Sequence, residues 1–213
     1  MRIAYKVLRG KEFPYDIIPF DGASNLAQAL KCFPLIFETK IIALFDYDIR
    51  GIDCLRKVKS IKPLGDNFLY QITRRNDKSI ENNKLYAMHI PCPKNEPKVQ
   101  DYLNCPIEFL YGKKILEKQH GLITKMTHQE LQIYFSKLQS CFSKIDKRVE
   151  ISKYDEKNYD EINELWTFFL SQDSGKKMKF AKYIEDNAKS IDFSNFEQLF
   201  KNIEFLIEHQ VLD

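Results

Sequence analysis

The stretch from Lys40 to Gly51 constrains this chain more than any other. Five apolar residues, Ile41, Ile42, Ala43, Leu44 and Phe45, run into Asp46, Tyr47 and Asp48, and Gly51 follows as a turn residue. A short apolar run bounded by polar residues suits a buried strand. At its end residues i and i+2 lean to one side. Asp46 and Asp48 can therefore offer two carboxylates to one hard cation while Tyr47 points away, which describes a magnesium site. Asp-x-Asp can also simply close a strand at a polar loop, its side chains bonding to nearby backbone. The position favours chemistry, because open α/β sheets place ligands at the carboxyl ends of their strands.

The surrounding pattern alternates strands and helices. Residues 15–20 read as a short strand, Asp21 and Gly22 turn the chain, and Ser24 caps a helix running to Cys32. Ile52, Leu55 and Val58 recur at helical spacing, which predicts a helix over about 49–60 packed back on the sheet. Residues 68–72 and 85–90 read as strands joined by a charged turn at 74–78, and Pro91, Cys92 and Pro93 end strand structure. The order predicts an α/β fold with a parallel or mixed sheet, helices on both faces and right-handed crossovers.

Beyond Gln129 the pattern turns helical. Thr127 and Glu130 form a capping box ahead of Leu131, and Ser194 and Glu197 form a second. The second opens an amphipathic helix whose apolar positions Phe196, Leu199, Phe200, Ile203, Leu206 and Ile207 read as core rather than as a cofactor surface. The expected organisation is an α/β domain over 1–125 and a helical region over 126–213 packing on it.

Composition narrows the class. With 213 residues, 44% hydrophobic, and only 7 Gly and 8 Pro, the chain can bury a proper core and is neither fibrous nor disordered. A net charge of +3 from 33 basic and 30 acidic residues is too balanced to argue for nucleic acid by itself. The cysteines, Cys32, Cys54, Cys92, Cys105 and Cys141, are scattered without a C-x-x-C pair and read as reduced thiols of a cytoplasmic protein. No segment approaches about 18 uncharged apolar residues and the amino terminus lacks a signal-like apolar core, so a soluble, unsecreted protein without membrane contact is expected. His89, His120, His128 and His209 have no zinc-like spacing. No P-loop, G-x-S-x-G or G-x-G-x-x-G occurs, so any ATP use falls to a partner.

Taken together, residues 18–25 (Ile-Pro-Phe-Asp-Gly-Ala-Ser-Asn) and 44–51 (Leu-Phe-Asp-Tyr-Asp-Ile-Arg-Gly) resemble the catalytic half of the topoisomerase–primase (TOPRIM) domain, and most of all the OLD (overcoming lysogenization defect) nucleases. Pro106 to Tyr111 resembles the acidic segment after the TOPRIM sheet, and Gly175 to Ala181 resembles the late lysine motif. The resemblance covers about residues 17–181. It implies a flavodoxin-like sheet, Mg2+ or Mn2+, and phosphodiester cleavage, with an ATPase partner and defence against phage. It also implies Asp46 and Asp48 as metal ligands, Glu108 as a third acid and Lys177 as a catalytic lysine. The family's domains begin with a strand ending in a glutamate, and here the short stretch before Ile17 holds only Glu12. The domain is thus expected to lack that first strand.

The chemistry wants such residues. Phosphodiester hydrolysis needs the phosphate charge neutralised and a water held in line with the leaving oxygen. Two carboxylates on a cation serve the first need, and Glu108 can bind a second ion or orient the water. Glu108 can equally be an ordinary acid opening the helix after Pro106. Lys176, Lys177 and Lys179 can bind phosphate, or form a solvated helix face. The leading expectation is a metal-dependent nuclease or nuclease subunit acting on nucleic acid, DNA ahead of RNA, with an ATPase partner or its own homo-oligomer. The alternatives are a catalytically inactive TOPRIM-like interaction module, and an Asp-x-Asp phosphatase or nucleotide-sugar transferase.

Overall fold

In the computed structural model the apolar run forms strand β1 (Ile41–Phe45) inside a four-stranded mixed sheet. Its neighbours are β2 (Ile61–Pro63), β3 (Leu69–Ile72) and β4 (Leu85–His89), in the order β1-β4-β3-β2. β1 runs parallel to β4, with Phe45 opposite His89, while β4 with β3 and β3 with β2 are antiparallel. The structure describes residues 1–32, 39–58, 61–65, 68–72, 84–93, 105–119, 121–142 and 168–208, without the side chains of 138–142. The turn predicted at 74–78, His120, His209 and the side chain of Cys141 lie outside them.

Both faces of the sheet are covered, as buried strands without polar alternation require. Every residue of β3 and β4 is buried. Along β4, Leu85 and Ala87 join Ala27 and Leu30 of helix α2 (Ala23–Cys32) and Cys54 and Leu55 of helix α3 (Ile49–Arg56). Tyr86 and Met88 point the other way, toward Ala4 and Tyr5 of helix α1 (Arg2–Arg9) and Leu199 and Phe200 of the last described helix. Each such large side chain contributes about 1.5–3 kcal/mol by leaving water. The fold is therefore α/β with helices on both faces.

Further along, helix α4 (Lys113–Glu117) leads into a two-stranded antiparallel pair of β5 (Ile123–Lys125) and β6 (Phe168–Leu170). Helices α5 (His128–Phe142), α6 (Ser174–Asp186) and α7 (Glu197–Glu208) complete the described elements. The region beyond 126 thus carries a strand as well as helices, and its Leu131, Phe180 and Phe196 share one apolar cluster with Tyr86 and Met88 of the sheet. Among the described residues no helix is long and apolar enough to cross a membrane.

Several local expectations are corrected. Residues 15–20 are not a strand: they pair with no strand among the described residues, and Ile18 is 74% exposed. Anchoring comes from Phe13 and Tyr15 instead, which stack edge-on in a row with Tyr5. Ser24 lies inside α2 rather than capping it, and α3 stops at Arg56. The Thr127 box forms, with Glu130 accepting from the Thr127 N–H at 2.7 Å and Thr127 Oγ1 accepting from the Glu130 N–H at 3.3 Å. The Ser194 box does not. Ser194 N–H donates to Asp192 at 2.8 Å, and Glu197 is taken by Arg9 at 2.7 Å.

Helix α1 has no counterpart in the sequence reading. Eight residues are too few to hold a helix by propensity, and two features hold this one. Gly10 closes it in the left-handed conformation, with its N–H bonded to the Lys6 carbonyl at 2.9 Å. Arg9 then bridges Glu197 and Glu204 of α7 at 2.7 and 3.2 Å in a half-buried fork. Arg9→Ala is expected to lower stability by about 1–2 kcal/mol, read as a shift of the urea midpoint; an unchanged midpoint would show that the fork contributes nothing.

Candidate active site

The site grows out of the end of β1. Phe45 is buried, Asp46 opens toward solvent, and Tyr47 turns inward again, with its ring against Phe68 and His89. A single antiparallel bridge fixes Tyr47 to Cys105: Tyr47 N–H reaches the Cys105 carbonyl at 3.0 Å, and Cys105 N–H returns to the Tyr47 carbonyl at 2.8 Å. That bridge delivers the segment after Cys105 to the acidic pair, and Asp46 Oδ1 accepts from the Ile107 N–H at 3.1 Å.

Asp48 is the N-cap of α3, its Oδ1 accepting from the Gly51 N–H at 2.7 Å. One of its oxygens therefore does the structural work that a short polar pattern would do by itself. Gly51 is required for a different reason. A Cβ there would lie 2.0 Å from the Asp46 carbonyl oxygen, so the first turn of α3 sits against the backbone that carries the first aspartate.

Glu108 lies in a 3-10 turn over Ile107–Tyr111, directly after the Asp46 contact. Lys177 arrives from α6. Asp173 caps that helix by accepting from the N–H groups of Gly175 and Lys176, and Phe180 and Ile184 are its buried residues. Lys177 precedes these by three and seven positions and so shares their inward face. Its Nζ lies 3.5 Å from Glu108 Oε1. Four residues singled out in the sequence, Asp46, Asp48, Glu108 and Lys177, thus converge. The other two lysines do not join them: Lys176 lies over the turn at Gly121, and Lys179 is exposed.

The electrostatics follow from the crowding. The Asp46 carboxyl is pushed up to about 7, by desolvation first and then by the charges of Asp48 and Glu108; the Ile107 N–H and Lys177 oppose the rise. The carboxylate keeps an open side to solvent. Asp48 is also raised by burial, and held back by the N–H groups of Gly51 and Arg50 and by the charges of Arg50 and Lys177. Negative charge is therefore in excess at this spot.

Three further neighbours were not among the residues singled out in the sequence. Arg50 in α3 lowers the proton affinity of Asp48. Tyr134, on α5 where that helix packs against α3, is raised well above the ordinary phenol range by burial and then by the Asp48 charge, and its hydroxyl accepts from the Ile49 N–H. His89, 1% exposed, places Nδ1 at 3.2 Å from the Asp46 carbonyl oxygen, and burial pushes it down to about 4. A histidine inside the apolar run 85–90 was the available clue.

No known protein family, curated protein or solved structure matches this chain. What the site can do is read from its own donors. Among the described residues no group of three or more His, Cys, Asp or Glu side chains is arranged to hold a metal ion. An oxygen-only pair of carboxylates with excess negative charge fits a hard ion that keeps most of its own waters, which is how Mg2+ is commonly held.

Proposed function

We propose that this chain is a Mg2+- or Mn2+-dependent phosphodiester hydrolase, a nuclease or nuclease subunit. The observation that carries the reading is the convergence of Asp46, Asp48 and Glu108, with Lys177 3.5 Å from Glu108; desolvation first, and then the charges of Asp48 and Glu108, push the Asp46 carboxyl up to about 7. Such crowding of carboxylates is unfavourable in a merely structural loop and is relieved by a cation.

Asp46 and Asp48 would hold the ion. A bound Mg2+ or Mn2+ supplies neutralisation of the phosphate charge and acidifies water. Lys177 then donates to a phosphate oxygen as negative charge builds there. In this reading Glu108, whose Oε1 lies 3.5 Å from Lys177 Nζ, orients the attacking water and accepts its proton. The P–O bond to the leaving oxygen breaks as the new P–O bond to that water forms, and the leaving oxygen takes a proton from solvent, leaving a phosphate monoester end and a free hydroxyl. Nucleic acid as substrate, DNA ahead of RNA, comes from the TOPRIM resemblance. An ATPase partner or a homo-oligomer, a role against phage and a cytoplasmic setting belong to the same proposal.

One observation favours a second reading, an inert interaction module. Glu12, the glutamate that precedes the acidic pair, pairs with Lys6 at the surface and is absent from the charges acting on Asp46. Nicking of supercoiled plasmid separates the two. The parent is expected to cut with Mg2+ or Mn2+ and to stop with a chelator, and Asp46→Ala and Asp48→Ala to lose at least about 100-fold. Absence of metal-dependent cutting by the parent would favour the inert module, and turnover of a phosphomonoester with DNA untouched would favour a phosphatase.

A further inference from the structure

We propose that His89 is a positioning residue of this site, holding the Asp46 carbonyl through Nδ1–H and thereby setting where the two carboxylates sit; the inference rests on the cation reading above. The sheet explains why a side chain is needed there. The β1–β4 ladder ends with the Ile90 N–H on the Phe45 carbonyl at 2.8 Å. The next carbonyl along β1, that of Asp46, lies past the ladder and takes its donor from the His89 ring at 3.2 Å. Because a carbonyl only accepts, Nδ1 carries the proton.

Gly51 packs against the same oxygen, and a Cβ there would come within 2.0 Å of it. The Asp46 carbonyl is thus held by the histidine and crowded by the turn at Gly51. Asp48 is tied into the same arrangement through its bond to the Gly51 N–H at 2.7 Å.

His89 is otherwise an expensive choice. It is 1% exposed, its ring is surrounded by those of Phe45, Tyr47 and Tyr70, and Nε2 has no hydrogen-bond partner among the described residues. Leucine or phenylalanine would fill the space without stranding a polar atom. A buried group that breaks the packing rule while holding the backbone of a charged site is where function is expected to override stability.

Three substitutions separate positioning from packing. Asparagine puts an amide donor near the Nδ1 place, glutamine puts one near the Nε2 place, and leucine has none. With Mn2+ alone as the probe, titrated by loss of the free-ion electron paramagnetic resonance signal, His89→Asn is expected within about twofold of the parent. His89→Gln and His89→Leu are expected about 10-fold weaker, the usual scale for groups that orient ligands. Thermal unfolding without metal is measured on each, and a structural role alone would move unfolding in all three without splitting asparagine from glutamine. Equal Mn2+ affinity in His89→Asn and His89→Gln would overturn the proposal, and that comparison stands even if the leucine variant fails to fold. A second readout needs no metal: imidazole 15N shifts of the parent are expected to show the Nδ1-protonated tautomer, and the Nε2-protonated form would overturn the proposal. A parent with that tautomer but no Mn2+ binding would instead sink the cation reading, and the inference with it.

Discussion

Gly51→Ala is expected to be the most damaging single methyl group that can be added to this chain. The new Cβ would stand 2.0 Å from the Asp46 carbonyl oxygen, 3.1 Å from its carbon and 3.4 Å from the Asp46 nitrogen. All three are backbone atoms, so no side chain can swing aside to make room. Either α3 lifts off the end of β1 or the Asp46 peptide moves, and both break bonds: Gly51 N–H to Asp48 Oδ1 in the first case, His89 Nδ1 to the Asp46 carbonyl in the second. Overpacking a tight site costs about 1–3 kcal/mol, occasionally more. With the cap lost as well, about 3 kcal/mol or more is expected, roughly a 6–12 °C fall in Tm for a chain of this size. Mn2+ binding should vanish together with the fold of the loop. A variant that melts with the parent would mean that α3 does not press on Asp46 as described.

The glycine also marks how far sequence alone reaches. The strand 41–45, the inward turn of Tyr47 and the helix after Asp48 were legible because each depends on neighbours in the chain: an apolar run, a two-residue period, and the helical spacing of Ile52, Leu55 and Val58. Residues 15–20 have strand composition as well, yet a strand is a pairing, and no described strand accepts them. Helix α1 was missed for the converse reason. Its stability resides in Arg9 reaching Glu197 and Glu204 near the other end of the chain. The second capping box fails because Asp192 takes the Ser194 N–H, while Glu197 turns to Arg9.

The site divides the same way. Asp46 and Asp48 announced themselves by spacing, and the likeness to a family motif brought in Glu108 and Lys177. The bridge that carries Glu108 to Asp46 runs through Cys105 and Tyr47, two residues with no pattern between them. Among three lysines in one run, the helical phase set by Phe180 and Ile184 excludes Lys179 but not Lys176, and only the fold, which takes Lys176 to Gly121 and Lys177 to Glu108, separates those two. His89 was visible as an oddity in an apolar strand, but its partner, a backbone carbonyl, leaves no trace in composition.

Asp46→Asn is expected to stabilise the metal-free protein at pH 8 while abolishing its response to Mn2+. In the folded parent the carboxyl holds its proton up to about 7, against an ordinary value of 3.8. Below about pH 4 both folded and unfolded chains are protonated there, and the parent enjoys whatever stability the neutral group allows. Between pH 4 and 7 the unfolded chain ionises first, so this group's contribution is lost as pH rises, and above 7 the fold carries the full cost of desolvating the charge and of its repulsion from Asp48 and Glu108. Asparagine keeps an oxygen for the Ile107 N–H, which Asp46 Oδ1 accepts at 3.1 Å, and removes the charge. Solvent on the open side screens the repulsion, so the gain at pH 8 is about 1 kcal/mol, some 2–4 °C in Tm. At pH 4 the two proteins should melt together. Mn2+ at about 100 times its dissociation constant should then raise the parent by about 2.7 kcal/mol and leave the variant unmoved, so the order of stability inverts on adding the ion. A variant less stable than the parent by the same margin at both pH values, with Mn2+ indifferent to both, would mean that Asp46 is only the acceptor that fastens the Cys105 segment, and no cation site exists.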